Sequence, residues 1–198
     1  MRQSLILLIA VVVSVLGGGR ASAGPFLLDE NFDNQHSGVG ALNFSGFSSG
    51  WTVSQGSVDL IGKGFFDFLP GKGLYIDLDG STKNAGVLAS PEFALDPGTY
   101  RVNFSLAGNQ KKSAADNVTV SFGDWSQTFH ILASQPLTPH SFDIPVPTKR
   151  ATRLTFSNAG GDNIGALLDD VQVFSIPTPA GAVALALLSA SLAFRRGR

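Results

Sequence analysis

The chain has 198 residues, of which 43% are hydrophobic and 15% charged, with 23 Gly, 10 Pro and no Cys. This composition excludes a disordered chain, disulfides and thiol chemistry, and it favours a packed, turn-rich domain built mainly from β-strands. All 15 acidic residues lie between Asp29 and Asp170, whereas five of the 14 basic residues lie in the two terminal segments. The body of the chain between these segments therefore has a net charge of −6, which gives no attraction to nucleic acid or anionic lipid.

The N-terminus predicts a secretory signal peptide over residues 1–23. Arg2 precedes the apolar run Leu5–Leu16, and Ala21-Ser22-Ala23 supplies the small-x-small site that signal peptidase requires before Gly24. A retained membrane anchor is the alternative, but the run is short for a membrane span and leads into three glycines. We therefore expect an exported protein whose stability depends on core burial, on a metal, or on both.

From residue 24 onward, apolar and polar residues alternate with a period of two. In "GTYRVNFSLAGN", Tyr100, Val102, Phe104 and Leu106 share one face, while Arg101, Asn103 and Ser105 share the other. The same alternation recurs at 117–122, 142–146 and 154–156. Such a pattern is typical of antiparallel strands with one face on a core. It predicts one all-β domain over residues 24–175, a two-sheet antiparallel sandwich of nine or ten strands between Phe26 and Phe174.

Two acidic clusters near the ends of this body predict a metal site. In "LLDDVQVF", alternation places Asp169 on one face with Leu167, Val171 and Val173, where a carboxylate is costly unless it is paired or coordinated. The clustered acids of "LLDENFD" are Asp29, Glu30 and Asp33. First and last strands of sandwiches are often neighbours, and ligands that are all oxygen suit Ca²⁺. The alternative is that Asp169 accepts backbone N–H bonds or pairs with Lys or Arg.

No pattern predicts a catalytic site. Residues 46–50 match the G-x-S-x-G motif of hydrolases, but a strand pattern follows instead of the helix that the motif requires. The three histidines, His36, His130 and His140, are scattered, and His130 has the pattern of a solvated strand residue. A glycosidase pair of carboxylates stays open, since the sequence gives no separations. We expect a protein that is not an enzyme.

Exposed aromatic side chains would carry carbohydrate binding, because sugar rings stack on flat apolar faces. Most aromatic residues in a chain of this size belong to the core, and Trp51 and Tyr75 have core-like contexts. Trp125 follows the Gly123-Asp124 turn and is the better candidate for contact with a sugar.

Four blocks of the body, taken together, resemble a secreted galactose-binding-like jelly-roll family. These blocks are "SGWTVSQGSVDLIG", "GLYIDLDGS", "LDPGTYRVNFSLAGN" and "LLDDVQVF". The resemblance implies a non-catalytic carbohydrate-binding module, with one structural Ca²⁺ between the first and last strands. The family's closing "L-D-D/N-V" falls on Leu168–Val171, and its opening glutamate falls on Asp33. The shorter side chain of Asp33 makes Glu30 the substitute ligand.

The C-terminal segment over residues 176–198 resembles the PEP-CTERM sorting signal of Gram-negative bacteria. Its elements are the motif Pro177-Thr178-Pro179, the apolar run Ala180–Phe194 and the basic end Arg195, Arg196 and Arg198. Threonine replaces the usual glutamate. A helix of this run would span ~22 Å, less than the ~30 Å hydrocarbon core, and the arginines would hold its cytoplasmic end. The resemblance implies transient inner-membrane insertion and cleavage by an exosortase; permanent anchoring is the alternative.

The signal sequence and the two resemblances together imply an exported bacterial protein of the cell surface or extracellular matrix that associates with exopolysaccharide without catalysis. The expected partners are signal peptidase, an exosortase-type membrane protease and exopolysaccharide. A structural or adhesive matrix protein without a sugar site is the main alternative. A glycan hydrolase is a further one.

Overall fold

The computed structural model describes residues 24–82, 84–111 and 115–177. Their regular structure is β-sheet apart from one 3₁₀ turn at Gln35–Gly38, which confirms the all-β prediction. The strands are β1 (Phe26–Glu30), β2 (Thr52–Gln55), β3 (Asp59–Gly62), β4 (Leu74–Asp77), β5 (Val87–Ala89), β6 (Phe93–Leu95), β7 (Gly98–Ala107), β8 (Asp116–Phe122), β9 (Trp125–Ile131), β10 (Thr138–Val146), β11 (Arg150–Thr152), β12 (Leu154–Ala159) and β13 (Leu167–Ile176).

Two antiparallel sheets pack face to face as a jelly-roll sandwich. The first sheet has the order β10-β7-β13-β4-β3, with β1 also paired to β13. The second has the order β2-β5-β12-β8-β9, and β6 and β11 form a separate pair. Because β1 lies beside β13, the first and last strands are neighbours, as predicted. Several strands have only three or four residues, too few for alternation to show, which explains why the sequence predicted fewer of them.

The core lies between the inward faces of the two sheets. The alternating apolar residues of β7 are buried as predicted, and Phe104 packs edge-on against Phe129 and Phe156 of the second sheet, with ring centroids 5.5 and 5.4 Å apart. Trp51 is buried in this core. Tyr75 is buried in a smaller apolar cluster on the other face of the first sheet. Both therefore have the core role that their sequence context indicated.

The alternation predicted for β13 is interrupted by a bulge. Asp170 has φ +52°, and the register against β7 shifts between Asp169 and Gln172. Val171 and Val173 consequently belong to the core, whereas Asp169 lies opposite Ser105 on the outer face of the sheet. The prediction that Asp169 shares a face with these two valines is wrong, because one extra residue reverses the alternation. The prediction that Asp169 is buried is confirmed.

The predicted signal peptide and most of the predicted sorting tail lie outside the described residues. Pro177 is the last residue that the structure describes, so Thr178, Pro179 and the apolar and basic segments after them stay predictions. Within the described ranges, no helix has both the length and the apolar character needed to cross a bilayer.

Candidate functional site

A groove of about 530 Å³ crosses the outer face of the first sheet over β10, β7 and β13. Most of the residues that line this groove come from the outward positions of three strands. Those that carry its chemistry are Arg101, Asn103, Ser105, Ser141, Gln172 and Phe174. The predicted polar face of β7 thus forms the middle of the groove.

Strand register aligns the polar groups of the groove in a row. Asn103 lies opposite Ser141 of β10 on one side and opposite Gln172 of β13 on the other. The Asn103 Nδ2 donates to Gln172 Oε1 at 3.3 Å, and the Gln172 Nε2 donates to Asp29 Oδ1 at 3.0 Å. The Asn103 Oδ1 is buried and has no hydrogen-bond partner. The row therefore places amide and hydroxyl groups side by side across three strands.

An ion pair holds one side of the groove. Arg101 donates from Nε and Nη2 to the two oxygens of Asp143, at 2.6 and 2.7 Å. These hydrogen bonds raise the pKa of Arg101 and lower the pKa of Asp143. The two-point contact fixes the plane of the guanidinium beside the polar row.

Two phenylalanines add an apolar element at the same side of the sheet. Phe174 lies opposite Arg101 in the register of β13 and β7 and lines the groove. Phe26 of β1 packs edge-on against Phe174, with centroids 5.3 Å apart, and is 52% exposed. An exposed aromatic ring beside a polar groove is a surface on which a sugar ring can stack.

The sequence-based aromatic candidate lies elsewhere. Trp125 of β9 is half-buried, with its ring 4.9 Å from that of Phe142, and is not among the groove's lining residues. Sequence reasoning placed Asn103 on a polar strand face without assigning it to a site, and it assigned no site role to Gln172 or Phe26. The polar alternation of β7 was the one available signal, because the other groove residues join it only through the pairing of distant strands.

Two of the three candidate metal ligands, Glu30 and Asp33, are already bonded to other groups of the protein. Glu30 is buried and accepts hydrogen bonds from the Phe32 N–H at 2.8 Å and from Gln35 Nε2 at 2.9 Å, and a further one from the Ser49 hydroxyl. Protein donors therefore satisfy Glu30. Asp33 accepts the Leu74 N–H at 2.9 Å and pairs with a lysine.

Asp33 and Asp169 lie close enough to interact electrostatically. The pKa of Asp169 is raised to about 7, mainly by burial and also by the charges of Asp170 and Asp33, against the lowering effect of the hydrogen bond from the Asp170 N–H. Lys63 already contacts Asp33 at 3.2 Å. Glu30 accepts hydrogen bonds from three protein donors, whereas Asp169 accepts one from the Asp170 N–H, so Asp169 is better placed than Glu30 to act as a ligand to a cation. No three His, Cys, Asp or Glu side chains in the described part of the chain are grouped so as to hold a metal, and the calcium site stays a prediction.

The remaining sequence candidates show no catalytic arrangement in the described ranges. Residues 46–50 lead into β2 rather than a helix, and the Ser48 hydroxyl donates to Gln35 Oε1 at 3.1 Å. His130 is exposed and bonds Asn117, as its pattern indicated. His140 is half-buried and stacks on Phe104, with its Nε2 buried and without a partner.

No family model and no curated protein matches the chain. Solved structures to which the chain is similar include the CBM22-1–GH10 modules of xylanase 10B from Clostridium thermocellum complexed with xylohexaose. The identity is 15% and the TM-score 0.47, and the match covers 79% of this chain and 30% of that one. The CBM22-1 xylan-binding domain from Paenibacillus barcinonensis Xyn10C has 16% identity and TM-score 0.47, covering 81% and 100%. TmCBM61 in complex with β-1,4-galactotriose has 18% identity and TM-score 0.42, covering 63% and 86%. These likenesses concern the fold.

Proposed function

We propose that the groove over β10, β7 and β13 binds carbohydrate without catalysis. The observation that carries the proposal is the row formed by Ser141, Asn103 and Gln172 across three strands. Amide and hydroxyl groups both donate and accept, which suits the paired hydroxyls of a sugar. The exposed Phe26 beside the row adds an apolar face, so the surface combines the two kinds of contact that a sugar ring makes.

The ligand class that we propose is an exopolysaccharide of the producing bacterium. The groove is open along the face of the sheet, which allows an extended chain to cross it. The body is acidic overall, and Asp143 already neutralises the arginine of the groove. A neutral polymer therefore suits this surface better than a strongly anionic one.

A glycan array with the purified full chain tests the binding proposal, followed by affinity measurements on the best ligand. Asn103→Ala and Gln172→Ala should each weaken binding by about tenfold, because each removes hydrogen bonds to the sugar. Gln127→Ala is the matched control, since Gln127 is an exposed residue of the second sheet. No reducing sugar should be released from the ligand.

A uniformly blank array, including the producer's own polymer, would refute the proposal and favour a matrix protein without a sugar site. Equal affinities for Gln172→Ala and Gln127→Ala would also refute it, because the ligand would then lie outside the groove. Release of reducing sugar would instead support the hydrolase alternative.

We further propose that the chain is exported and sorted through its C-terminal segment to the cell surface or matrix. The support is the sequence of that segment, with its Pro-x-Pro motif, short apolar run and terminal arginines. Mass spectrometry of the protein from a bacterium with and without an exosortase gene tests this proposal. Loss of the segment only when the gene is present would support it, and an intact C-terminus in both strains would refute it.

A further inference from the structure

Three polar residues lie together where the apolar core ends, at one end of the sandwich. Asp116 and Asn158 lie on the inward faces of β8 and β12, in positions that continue apolar rows ending in Val118 and Phe156. Asp79 follows the end of β4 in the other sheet. The three residues are 0–6% exposed. We call them the inter-sheet cluster; it shares no residue with the acids of the first and last strands.

The members of the inter-sheet cluster are mutually close. A Cβ at Gly160 would lie 2.6 Å from Asp79 Oδ2 and 2.8 Å from Asn158 Nδ2. The pKa of Asp116 is raised to about 6, mainly by burial and also by the charges of Asp162 and Asp79, against the lowering effect of side-chain hydrogen bonds from Asn158 and Asn109. Each member is thus near the other two.

Several polar atoms in the inter-sheet cluster lack protein partners. Asp79 Oδ2 accepts the N–H groups of Gly161 and Asp162, at 2.7 and 3.2 Å, but Asp79 Oδ1 is buried without a hydrogen bond. Asn158 Oδ1 is also buried without a hydrogen bond, while the Asn158 amide hydrogen-bonds the Asp116 carboxyl. Unsatisfied carboxylate and amide oxygens at one place are costly in a folded protein and indicate a bound group.

Glycine keeps the surroundings of the inter-sheet cluster open. Any side chain at Gly160 would meet Asp79 and Asn158 at less than van der Waals distance. At Gly165, a Cβ would lie 2.4 Å from the Asp79 backbone nitrogen and 2.6 Å from Asp77 Oδ1. The ion pairs found among the described residues use other acids, so no basic side chain described here balances the charge of the cluster.

We propose that the inter-sheet cluster binds a calcium ion through Asp79, Asp116 and Asn158. Calcium takes carboxylate, amide and backbone carbonyl oxygens and tolerates irregular geometry. The cluster supplies only two carboxylates, so the amide oxygen, backbone carbonyls and water complete the coordination. The ion neutralises two buried charges and ties the end of β4 to the second sheet.

The test separates this site from the one predicted at Asp33 and Asp169. Calcium binding to the full chain is measured by calorimetry after chelation, together with the melting temperature in CaCl₂ and in chelator. The background is Asp169→Asn, which removes the central ligand of the other site. In that background the chain should still bind calcium and melt at a higher temperature with it. Adding Asp79→Asn should weaken binding by about tenfold or more.

A second variant keeps the test decisive if Asp79→Asn fails to fold. Asn158→Asp adds a third carboxylate and should tighten calcium binding while lowering the melting temperature in chelator. Absence of calcium binding to Asp169→Asn would overturn the proposal, because the inter-sheet cluster is intact in that variant. Unchanged calcium affinity in both Asp79→Asn and Asn158→Asp would also overturn the proposal. The polar atoms of the inter-sheet cluster would then be satisfied by a buried water or a shared proton.

Discussion

The Nδ2 of Asn103 donates a hydrogen bond to Oε1 of Gln172, 3.3 Å away, between two strands that are far apart in the sequence. This contact depends on the bulge at Asp170. Without the extra residue, alternation from Asp169 would turn Gln172 toward the core and expose Val171. The bulge therefore brings a polar side chain into the groove and keeps the valines buried, so one backbone irregularity serves both the core and the candidate site.

The bulge can be tested at Asp170 itself, which has φ +52° and is exposed. Asp170→Val places a β-branched residue in the left-handed region and should lower the free energy of unfolding by roughly 1–2 kcal/mol. Asp170→Gly should be neutral within about 0.5 kcal/mol, because glycine accepts this conformation. Urea unfolding measures both. If valine and glycine prove equally stable, the bulge does not adopt this backbone conformation.

Burial of Asp169 predicts that stability falls as pH rises. Its pKa is raised to about 7 in the folded chain, so the folded state binds a proton that the unfolded state has released. The stabilisation is complete below the ordinary carboxyl pKa and is lost as pH rises through about 7. In chelator, Asp169→Asn should therefore be more stable than wild type at pH ~8 by up to ~4 kcal/mol, and little different at pH ~4.

Urea unfolding at the two pH values measures this effect. Glu92→Gln is the control, since Glu92 is exposed and is not among the charges that act on the Asp169 carboxyl. An equal difference between Asp169→Asn and wild type at both pH values would show that Asp169 does not titrate in this range. Calcium in place of chelator should remove the advantage of Asp169→Asn if the ion predicted at the first and last strands binds there.

The alternation of β7 predicted its buried and polar faces correctly. This strand is regular, and its core-facing side chains from Tyr100 to Leu106 are all apolar. The same reasoning failed at Asp170, since an aspartate in the left-handed region leaves no distinct local pattern. The groove was not predictable from sequence either. Ser141 and Gln172 meet Asn103 only through the register of three strands, and local periodicity carries no information about which strands pair.

His140 predicts the opposite pH dependence. Burial lowers the pKa of His140, and its ring stacks on Phe104, with centroids 5.3 Å apart and an interplanar angle of 27°. The folded chain therefore prefers the neutral ring. The contribution of this ring to stability is present above its ordinary pKa and is lost as pH falls through the lowered one.

His140→Phe should consequently reduce the fall in melting temperature between pH ~6.5 and pH ~5. His130→Phe is the control, because His130 is an exposed residue of the second sheet. If His130→Phe changes the acid dependence as much as His140→Phe does, burial of His140 is not its cause.

Alanine variants of two nearby glycines distinguish the cost of backbone strain from the cost of losing the contacts of Asp33. Gly71 and Gly73 have φ +86° and +83°, but a Cβ at Gly71 meets nothing within 4 Å, whereas one at Gly73 would lie 2.2 Å from Asp33 Oδ1. Gly71→Ala should lower the free energy of unfolding by about 1 kcal/mol through backbone strain alone. Gly73→Ala should cost roughly 1–2 kcal/mol more, because Asp33 must release the Leu74 N–H. Urea unfolding of the two variants measures the difference, and equal costs would show that the contact between Asp33 and Leu74 does not contribute to the stability of the fold.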